Sequence, residues 1–426
     1  MHIFISGIGA GTGPLAVLAK QAGFMVSASD KQDNDYVDYV RKHGVNVHIG
    51  QTLEAIAAVH ATEPIDWLVY SSAVAKENDN HPELMYAATN EIRLSKRDEF
   101  LQHFLEQTNQ QMIAIAGTHG KSTTTAMAVW LAKQIGMPVS YLVGAKMPFA
   151  EAAAFDPNAQ YFVYEADEYD RNFLSFSPAV SIIPGIAYDH PDIYPTQANY
   201  NEAFHKFIHQ SDKTWLWKQD VDMLDLVPEG SVAVLHKPDY DWCAPKLIGD
   251  VNRQNAALVV QAFHDLDPSQ DIQQLSDYMN TFPGVSRRFE QIVPNVYSDY
   301  AHTPEKIRGA IQIAQEISDN VVIVYEGLHN TRQHFIADQL PTLFTGTKKL
   351  YIVPTYRARE DETLEDLTPE KLCDMITTPA DCQPMRLNHE LKSAIQYHAT
   401  NGDLVLCLTA GGGGSLDEWL RQKQEG

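Results

Sequence analysis

The chain has 426 residues, too many for one hydrophobic core, so roughly two to three domains are expected. Hydrophobic residues make up 44% and charged residues 20%, which excludes the polar, low-aromatic composition of a disordered chain. With 32 basic against 55 acidic residues the formal charge is −23, which disfavours nucleic acid and anionic lipid as partners and means that an anionic substrate needs a local positive site.

The first segment reads as strand, glycine turn and helix: His2-Ile3-Phe4-Ile5-Ser6, then a turn through Gly7, Gly9, Gly11 and Gly13, then apolar residues at helical spacing from Pro14 to Gln21. With a second strand at Met25 to Ala28 and Asp30 about 20 residues after the turn, this is the outline of a dinucleotide fingerprint. Apolar segments at Val45-Asn46-Val47 and Trp67-Leu68-Val69-Tyr70 continue a strand and helix alternation, which predicts a parallel sheet. The polar stretch Glu106 to Gln111 is expected to be a linker before a new strand, Met112 to Ala116. A second boundary is expected near Phe282-Pro283-Gly284-Val285-Ser286. Strands are expected beyond it at Asn295-Val296-Tyr297, Val321 to Tyr325, Leu350 to Val353 and Leu404 to Leu408. The pattern predicts an α/β chain of three domains, 1–107, 108–283 and 284–426.

Cys243, Cys373, Cys382 and Cys407 lack the short paired spacing of zinc or redox motifs and are expected to be reduced, buried thiols of a cytoplasmic protein. The glycines at 7 to 13 interrupt the first apolar stretch and no basic segment precedes it, so no signal peptide is expected. No apolar run approaches the roughly 18 residues that a bilayer requires.

The strongest chemical signal is Gly117-Thr118-His119-Gly120-Lys121-Ser122-Thr123, between a strand and a helix-compatible segment. Glycines let backbone amides face an anion, and a helix N-terminus adds partial positive charge. Lys121 can neutralise phosphate oxygens, and the Ser122 hydroxyl can reach magnesium. The usual phosphate loop has a glycine where this chain has Ile115, so this is a shortened form. A nucleoside triphosphate is the expected ligand.

At these residues the chain resembles the Mur ligase family, whose short loop reads Gly-Thr-x-Gly-Lys-Ser/Thr-Thr. Further stretches match in order: Tyr164-Glu165-Ala166-Asp167-Glu168-Tyr169-Asp170, Tyr188-Asp189-His190-Pro191-Asp192-Ile193-Tyr194, Asn252-Arg253-Gln254-Asn255-Ala256-Ala257, Arg287-Arg288-Phe289-Glu290, and Ser298-Asp299-Tyr300-Ala301-His302-Thr303-Pro304. The resemblance spans essentially the whole chain. It implies a Rossmann-like N-terminal domain, a P-loop-type central ATPase domain and a Rossmann-like C-terminal domain. The glycine turn, Ser71-Ser72-Ala73-Val74 and the Glu165 to His190 spacing resemble most the members that join L-alanine to UDP-N-acetylmuramate in cell-wall synthesis.

Glu165 follows an apolar strand and is expected at its C-terminal end as a hard oxygen ligand for magnesium, whereas Asp167, Glu168 and Asp170 suit a solvated loop equally well. His190 reads on chemistry alone as a general base or a satisfied core residue; the resemblance implies that it holds a second magnesium. Asn252 and Asn255 share a helix face and can meet an adenine edge, or serve as a cap or interhelical bond. By resemblance Asn252, Asn255, Arg288 and Asp299 contact ATP, the last two when the C-terminal domain closes. Gly7, Gly9, Gly11, Gly13, Asp30, Ser71 and Ser72 would hold the UDP-linked substrate, and His302 and Arg332 the amino acid.

The implied activity is ATP-dependent amide formation through an acyl phosphate, with Lys121, Glu165, His190 and Arg288 as its catalytic residues and the protein a monomer or weak homodimer. Three places depart from the pattern: Pro184-Gly185 replaces Thr-Asn, Thr303 replaces a second histidine, and Gly327-Leu328-His329-Asn330-Thr331-Arg332 matches the acceptor segment only in part. Its Asn-Thr pair is similar to that of ligases that recycle murein tripeptide, which keeps the tripeptide as a rival acceptor. A nicotinamide oxidoreductase built on the first glycine turn would leave the Lys121 loop unexplained, and a silent regulatory protein would have no use for Lys121, Glu165 and His190.

Overall fold

A computed structural model describes residues 1–77, 80–190, 193–357, 360–361, 363–411 and 414–422. Three sheets follow one another along the chain. The first comprises β1 (His2–Ser6), β2 (Met25–Asp30), β3 (Asn46–Ile49), β4 (Trp67–Tyr70) and β5 (Arg93–Lys96), all parallel in the order β3-β2-β1-β4-β5. The second comprises β6 (Gln111–Ile115), β7 (Val139–Leu142), β8 (Ala153–Ala154), β9 (Tyr161–Glu165), β10 (Val180–Ile183), β11 (Lys213–Trp217) and β12 (Val232–Leu235). Its order is β12-β11-β10-β6-β9-β7-β8, with only the edge strand β8 antiparallel to its neighbour. The third comprises β13 (Glu290–Val293), β14 (Val296–Asp299), β15 (Val321–Leu328), β16 (Lys349–Tyr356), β17 (Cys382–Pro384) and β18 (Leu404–Leu408), in the order β13-β14-β18-β15-β16-β17 with β13 antiparallel.

Both first strands, β1 and β6, lie inside their sheets with partners on either side, so the glycine turns that follow them open at strand C-termini near a reversal of strand order. Parallel strands with both faces covered read as nearly continuous apolar runs, and Met112 to Ile115, Val321 to Tyr325 and Leu404 to Leu408 are buried throughout.

Chain contacts divide the protein into two compact units. One holds Met1–Ala244 with Asn255–Phe282 and contains the first two sheets; the other holds Pro245–Gln254 with Pro283–Gly426 and contains the third. The polar stretch expected to be a linker is the end of the helix Arg97–Thr108, closed by Asn109 in the left-handed conformation at φ +55°, followed directly by β6. Of these residues Asn109 is the C-cap, and the Thr108 hydroxyl donates back to Phe104 O at 2.9 Å. The core of the first unit runs through both its sheets: Phe100 and Phe104 of that helix pack on Trp67 of the first sheet and Phe162 of the second, each contributing about 1.5–3 kcal/mol by burial.

The cysteine expectation needs one correction. Cys243 and Cys407 are buried free thiols, whereas Cys373 and Cys382 form a disulfide with Cα atoms 5.6 Å apart. The helix Pro369–Met375 packs beside the edge strand β17 and brings the two together, a pairing that no short motif spacing encodes. Among the described residues no helix is long and apolar enough to cross a membrane.

Candidate active site

The loop after β6 passes from Ala116 to Gly120 into the helix Lys121–Gln134. Its glycines are required by backbone and space. Gly117 and Gly120 have φ of +140° and +77°; a Cβ on the first would meet Gly185 O at 2.8 Å, and one on the second would meet Pro184 Cβ at 2.9 Å. Thr118 anchors the loop. Its amide donates to Gly185 O (2.9 Å), its hydroxyl donates to Ala187 O (2.7 Å) and accepts from Ala187 N (2.9 Å), and the Tyr200 hydroxyl lies 2.6 Å away. The His119 ring lies over Gly185, in the space that a Cβ there would take. The Pro184-Gly185 departure is thus matched by the loop that packs on it.

Charge is concentrated where this loop meets β9. The register sets Ile115 beside Glu165, so the Glu165 carboxylate stands next to the loop: its Oε1 accepts from Ser122 Oγ at 2.8 Å and its Oε2 from Gly144 N at 3.1 Å. Lys121 Nζ donates to Gly117 O (2.7 Å) and to Glu168 Oε2 (2.6 Å). His190, at φ +57°, places Nε2 3.7 Å from Glu168 Oε1 and 3.8 Å from Asp189 Oδ2. Burial pushes the Glu168 carboxyl up, but the Lys121 ammonium and His190 outweigh it and hold the group at about 2. Burial pulls Lys121 down, and Glu168 and Asp167 more than restore it, so the pair carries opposite charges at neutral pH.

Ser122 and Glu165 present two hard oxygens side by side, the donors magnesium takes while phosphate oxygens and water complete its shell. This pair fits the ion that the resemblance implies. Among the described residues no three His, Cys, Asp or Glu side chains form a closed metal cage. The Thr123 position lies in the first turn of the helix, and Asn255 reaches the loop from the helix Asp250–Leu266: it is buried, and a Cβ on Gly120 would meet its Oδ1 at 3.2 Å. Asn252 belongs to the other compact unit, where its amide donates to Ile248 O at 2.8 Å.

A cavity of about 420 Å³ opens over the other glycine turn, and Gly7, Gly9, Gly11, Asp30 and Ser71 line it. Gly13 is instead inside the helix Thr12–Gln21, where a Cβ would touch Val40 and Tyr36 at 3.5 and 3.6 Å. The side chain of Ser72 lies outside the described residues. Asp30 braces the turn from within: its Oδ2 accepts from Ile8 N at 2.7 Å, while Thr12 Oγ1 accepts from Gly9 N (3.0 Å) and donates to Gly7 O (2.6 Å). Arg97 and Lys31 are the cations among the residues that line the cavity, and the Arg97 guanidinium lies against Gly11, in the space that a Cβ there would take. Arg97 Nε donates to Asp98 Oδ2 at 3.3 Å, and Asp98 Oδ1 accepts from the Tyr164 hydroxyl at 2.9 Å. Asp167, Tyr169 and Asn172, on the segment after β9, complete the wall, and Asp170 pairs with Lys96 at 2.6 Å.

In the second unit Arg288, Asp299, His302 and Arg332 gather near the C-terminal ends of β14 and β15. Asp299 Oδ2 accepts from Phe289 N at 2.7 Å; burial raises its pKa to about 6, with Arg288 opposing. Arg288 Nη1 donates to Tyr300 O at 3.3 Å, and His302 meets the Tyr300 ring edge to face at 4.8 Å. Burial, together with Lys306, Arg332 and Arg288, pushes the His302 pKa well below its ordinary value, so its imidazole is neutral. A locally cationic patch in a chain of charge −23 suits a carboxylate or a phosphate. The Asn330 amide is committed elsewhere: it donates to Glu365 O (3.0 Å) and accepts from Leu367 N (2.9 Å).

Sequence reasoning sets Glu168 level with Asp167 and Asp170, and the geometry separates them, since only Glu168 meets Lys121 and His190. Arg97 escapes a reading by motif. The signal that marks it is a cation at the C-terminal end of a parallel strand, β5, where ligands of open α/β sheets bind.

Comparisons with known proteins cover almost the whole chain. Residues 2–109 match the Mur ligase family, catalytic domain; residues 115–220 match the Mur ligase middle domain; residues 287–411 match the Mur ligase, glutamate ligase domain. The UDP-N-acetylmuramate--L-alanine ligase of Syntrophomonas wolfei is 27% identical over 442 residues, covering 95% of this chain and 92% of the relative. That of Symbiobacterium thermophilum is 28% identical over 455 residues, covering 96% and 91%. The crystal structure of the UDP-N-acetylmuramate-alanine ligase of Thermotoga maritima shares the fold with a TM-score of 0.75 at 22% identity, over 99% of this chain and 97% of that one. Matched in order by all three of its domains, and with a shortened phosphate loop beside paired serine and glutamate oxygens, the chain belongs to the Mur ligase family of ATP-dependent ligases.

Proposed function

We propose that this protein joins L-alanine to the lactyl carboxylate of UDP-N-acetylmuramate in peptidoglycan precursor synthesis, with ATP cleaved to ADP and phosphate. The observation that carries the reading is Lys121 at a helix N-terminus, in a loop whose next residue pairs with Glu165 at 2.8 Å. A carboxylate is a poor electrophile for an amine; transfer of the γ-phosphoryl group from ATP to it gives an acyl phosphate and ADP, and the amine then attacks the acyl carbon and expels phosphate. Lys121 offsets charge on the transferring group. Ser122 and Glu165 would hold the magnesium ion that supplies the rest of that charge, with His190 as a second metal contact. The glycine turn and Arg97 take the diphosphate of the nucleotide sugar, Asn255 and Asn252 the adenine, and Arg288 and Asp299 the ATP from the C-terminal part. His302 and Arg332 receive the amino acid's carboxylate.

We assign residues 1–107 to the nucleotide-sugar substrate, 108–283 to ATP and 284–426 to the amino acid. L-Alanine is preferred over murein tripeptide because curated relatives over 95% and 96% of this chain carry the alanine name, and because Asn330, the residue similar to the tripeptide ligases, is tied to Glu365 and Leu367. The test is phosphate release from ATP with UDP-N-acetylmuramate and magnesium across single amino acids and the tripeptide. L-Alanine is expected to give the largest stimulation. Stimulation by the tripeptide alone moves the acceptor, and no release with any acceptor overturns the reading.

A further inference from the structure

The phosphate-loop lysine already has an anion. Glu168 Oε2 lies 2.6 Å from Lys121 Nζ, and the pair is enclosed, with side chains 15% and 1% exposed. A buried cation whose nearest counter-charge is removed is strongly destabilised, so a nucleotide-free phosphate loop with an enclosed lysine needs a substitute for phosphate. Glu168 has a second place to go, because its other oxygen is 3.7 Å from His190 Nε2. Its main chain is fixed independently: the Tyr194 hydroxyl donates to Glu168 O at 2.6 Å, and Tyr194 packs edge to face on Tyr200, which meets Thr118 of the loop. The carboxylate can therefore exchange partners by side-chain rotation on a fixed backbone.

We propose that Glu168 is a positioning residue that holds Lys121 in the nucleotide-free protein as a stand-in for phosphate, and that it turns to His190 when the phosphates of a nucleotide take over the lysine. The proposal rests on the assignment of ATP to this loop. The exchange is one of ion pairs, in which no bond forms or breaks. It has a direction that other roles lack. A stand-in competes with the ligand, so removing it tightens nucleotide binding, whereas removing a metal ligand or a merely structural group weakens binding or leaves it unchanged. The same substitution slows turnover, because His190 loses its nearest carboxylate partner.

The experiment is calorimetric titration of the full chain with ADP in EDTA, where no divalent cation contributes, on wild type and Glu168→Gln. Binding on the order of tenfold tighter in the variant is expected, with a lower melting temperature that ADP restores. Phosphate release in magnesium should fall in the same variant. Glu168→Asp keeps the charge but withdraws it by one methylene, and its ADP affinity should fall between the two; it carries the test if the glutamine variant does not fold. Equal or weaker ADP binding in a folded variant, with wild type binding normally, overturns the proposal. Wild type without affinity for ADP overturns the ATP assignment and this proposal together.

Discussion

The turn after β1 and the loop after β6 share a plan, each leaving the C-terminal end of an inner parallel strand, turning on glycines and entering a helix. They differ in where the charge is kept. The first commits the amides of Ile8, Gly9 and Gly13 to itself, on Asp30, Thr12 and Gly9 O, and draws a cation, Arg97, from the start of a helix that follows β5. The second carries its cation within the loop and neutralises it with a buried glutamate from the segment after the neighbouring strand, β9. Glycine spacing alone thus fixes a shape; the position of the nearest cation decides which part of a ligand the shape can grip. An open cavity with a peripheral arginine suits a bulky anion, while an enclosed lysine suits the end of a polyphosphate.

If that contrast is right, the two cations should fail in different ways. Lys121→Ala should lower phosphate release by about 10³-fold, the scale on which a transition-state charge partner acts, while far-ultraviolet circular dichroism stays that of the wild type. Near-normal turnover would remove the functional meaning of the loop. Arg97→Ala should raise KM for UDP-N-acetylmuramate by about 10- to 100-fold, as for loss of one charge-assisted hydrogen bond, with ADP affinity unchanged. A variant that bound ADP poorly would show that the two turns are not separate sites.

What is readable in the sequence follows from range. Strands such as Trp67–Tyr70 and Leu404–Leu408 are short apolar runs, and their limits coincide with the expected ones because burial on both faces leaves no other composition. The edge strand Glu290–Val293 alternates half-buried and exposed residues, and its polar positions hide it. Lys121 and Ser122 are legible since their chemistry is written in adjacent residues. Arg97, Glu168 and the Cys373–Cys382 pair are not, because each acquires its role from a partner that only the sheet order brings near. Asn252 and Asn255 sit one helical turn apart, so periodicity cannot tell that Asn255 faces the phosphate loop while Asn252 bonds to Ile248.

The smallest effect tests what supports the second turn. Thr118 leans on Gly185 and Ala187, and the amide of Ile186 between them donates to Asp220 Oδ1 at 3.0 Å. Asp220 is 2% exposed, and burial pushes its pKa to about 7 against the hydrogen bonds from the Ile186 and Trp217 backbone. The first turn rests instead on Asp30, whose two oxygens accept from Ile8 N and Gln32 N. A native pKa above the unfolded value means that the folded protein holds the proton more tightly, so the contribution of Asp220 is fully present below the unfolded pKa and is lost as pH rises through about 7. Asp220→Asn keeps an oxygen for Ile186 and abolishes the titration. Melting curves at about pH 6 and about pH 8 should therefore show the variant gaining on wild type by about 1 kcal/mol, the free energy linked to one proton held across roughly one pH unit. Parallel melting profiles of wild type and Asp220→Asn would mean that Asp220 is ionised in the folded state, and that the loop after β6 is braced by a charge instead of by a proton.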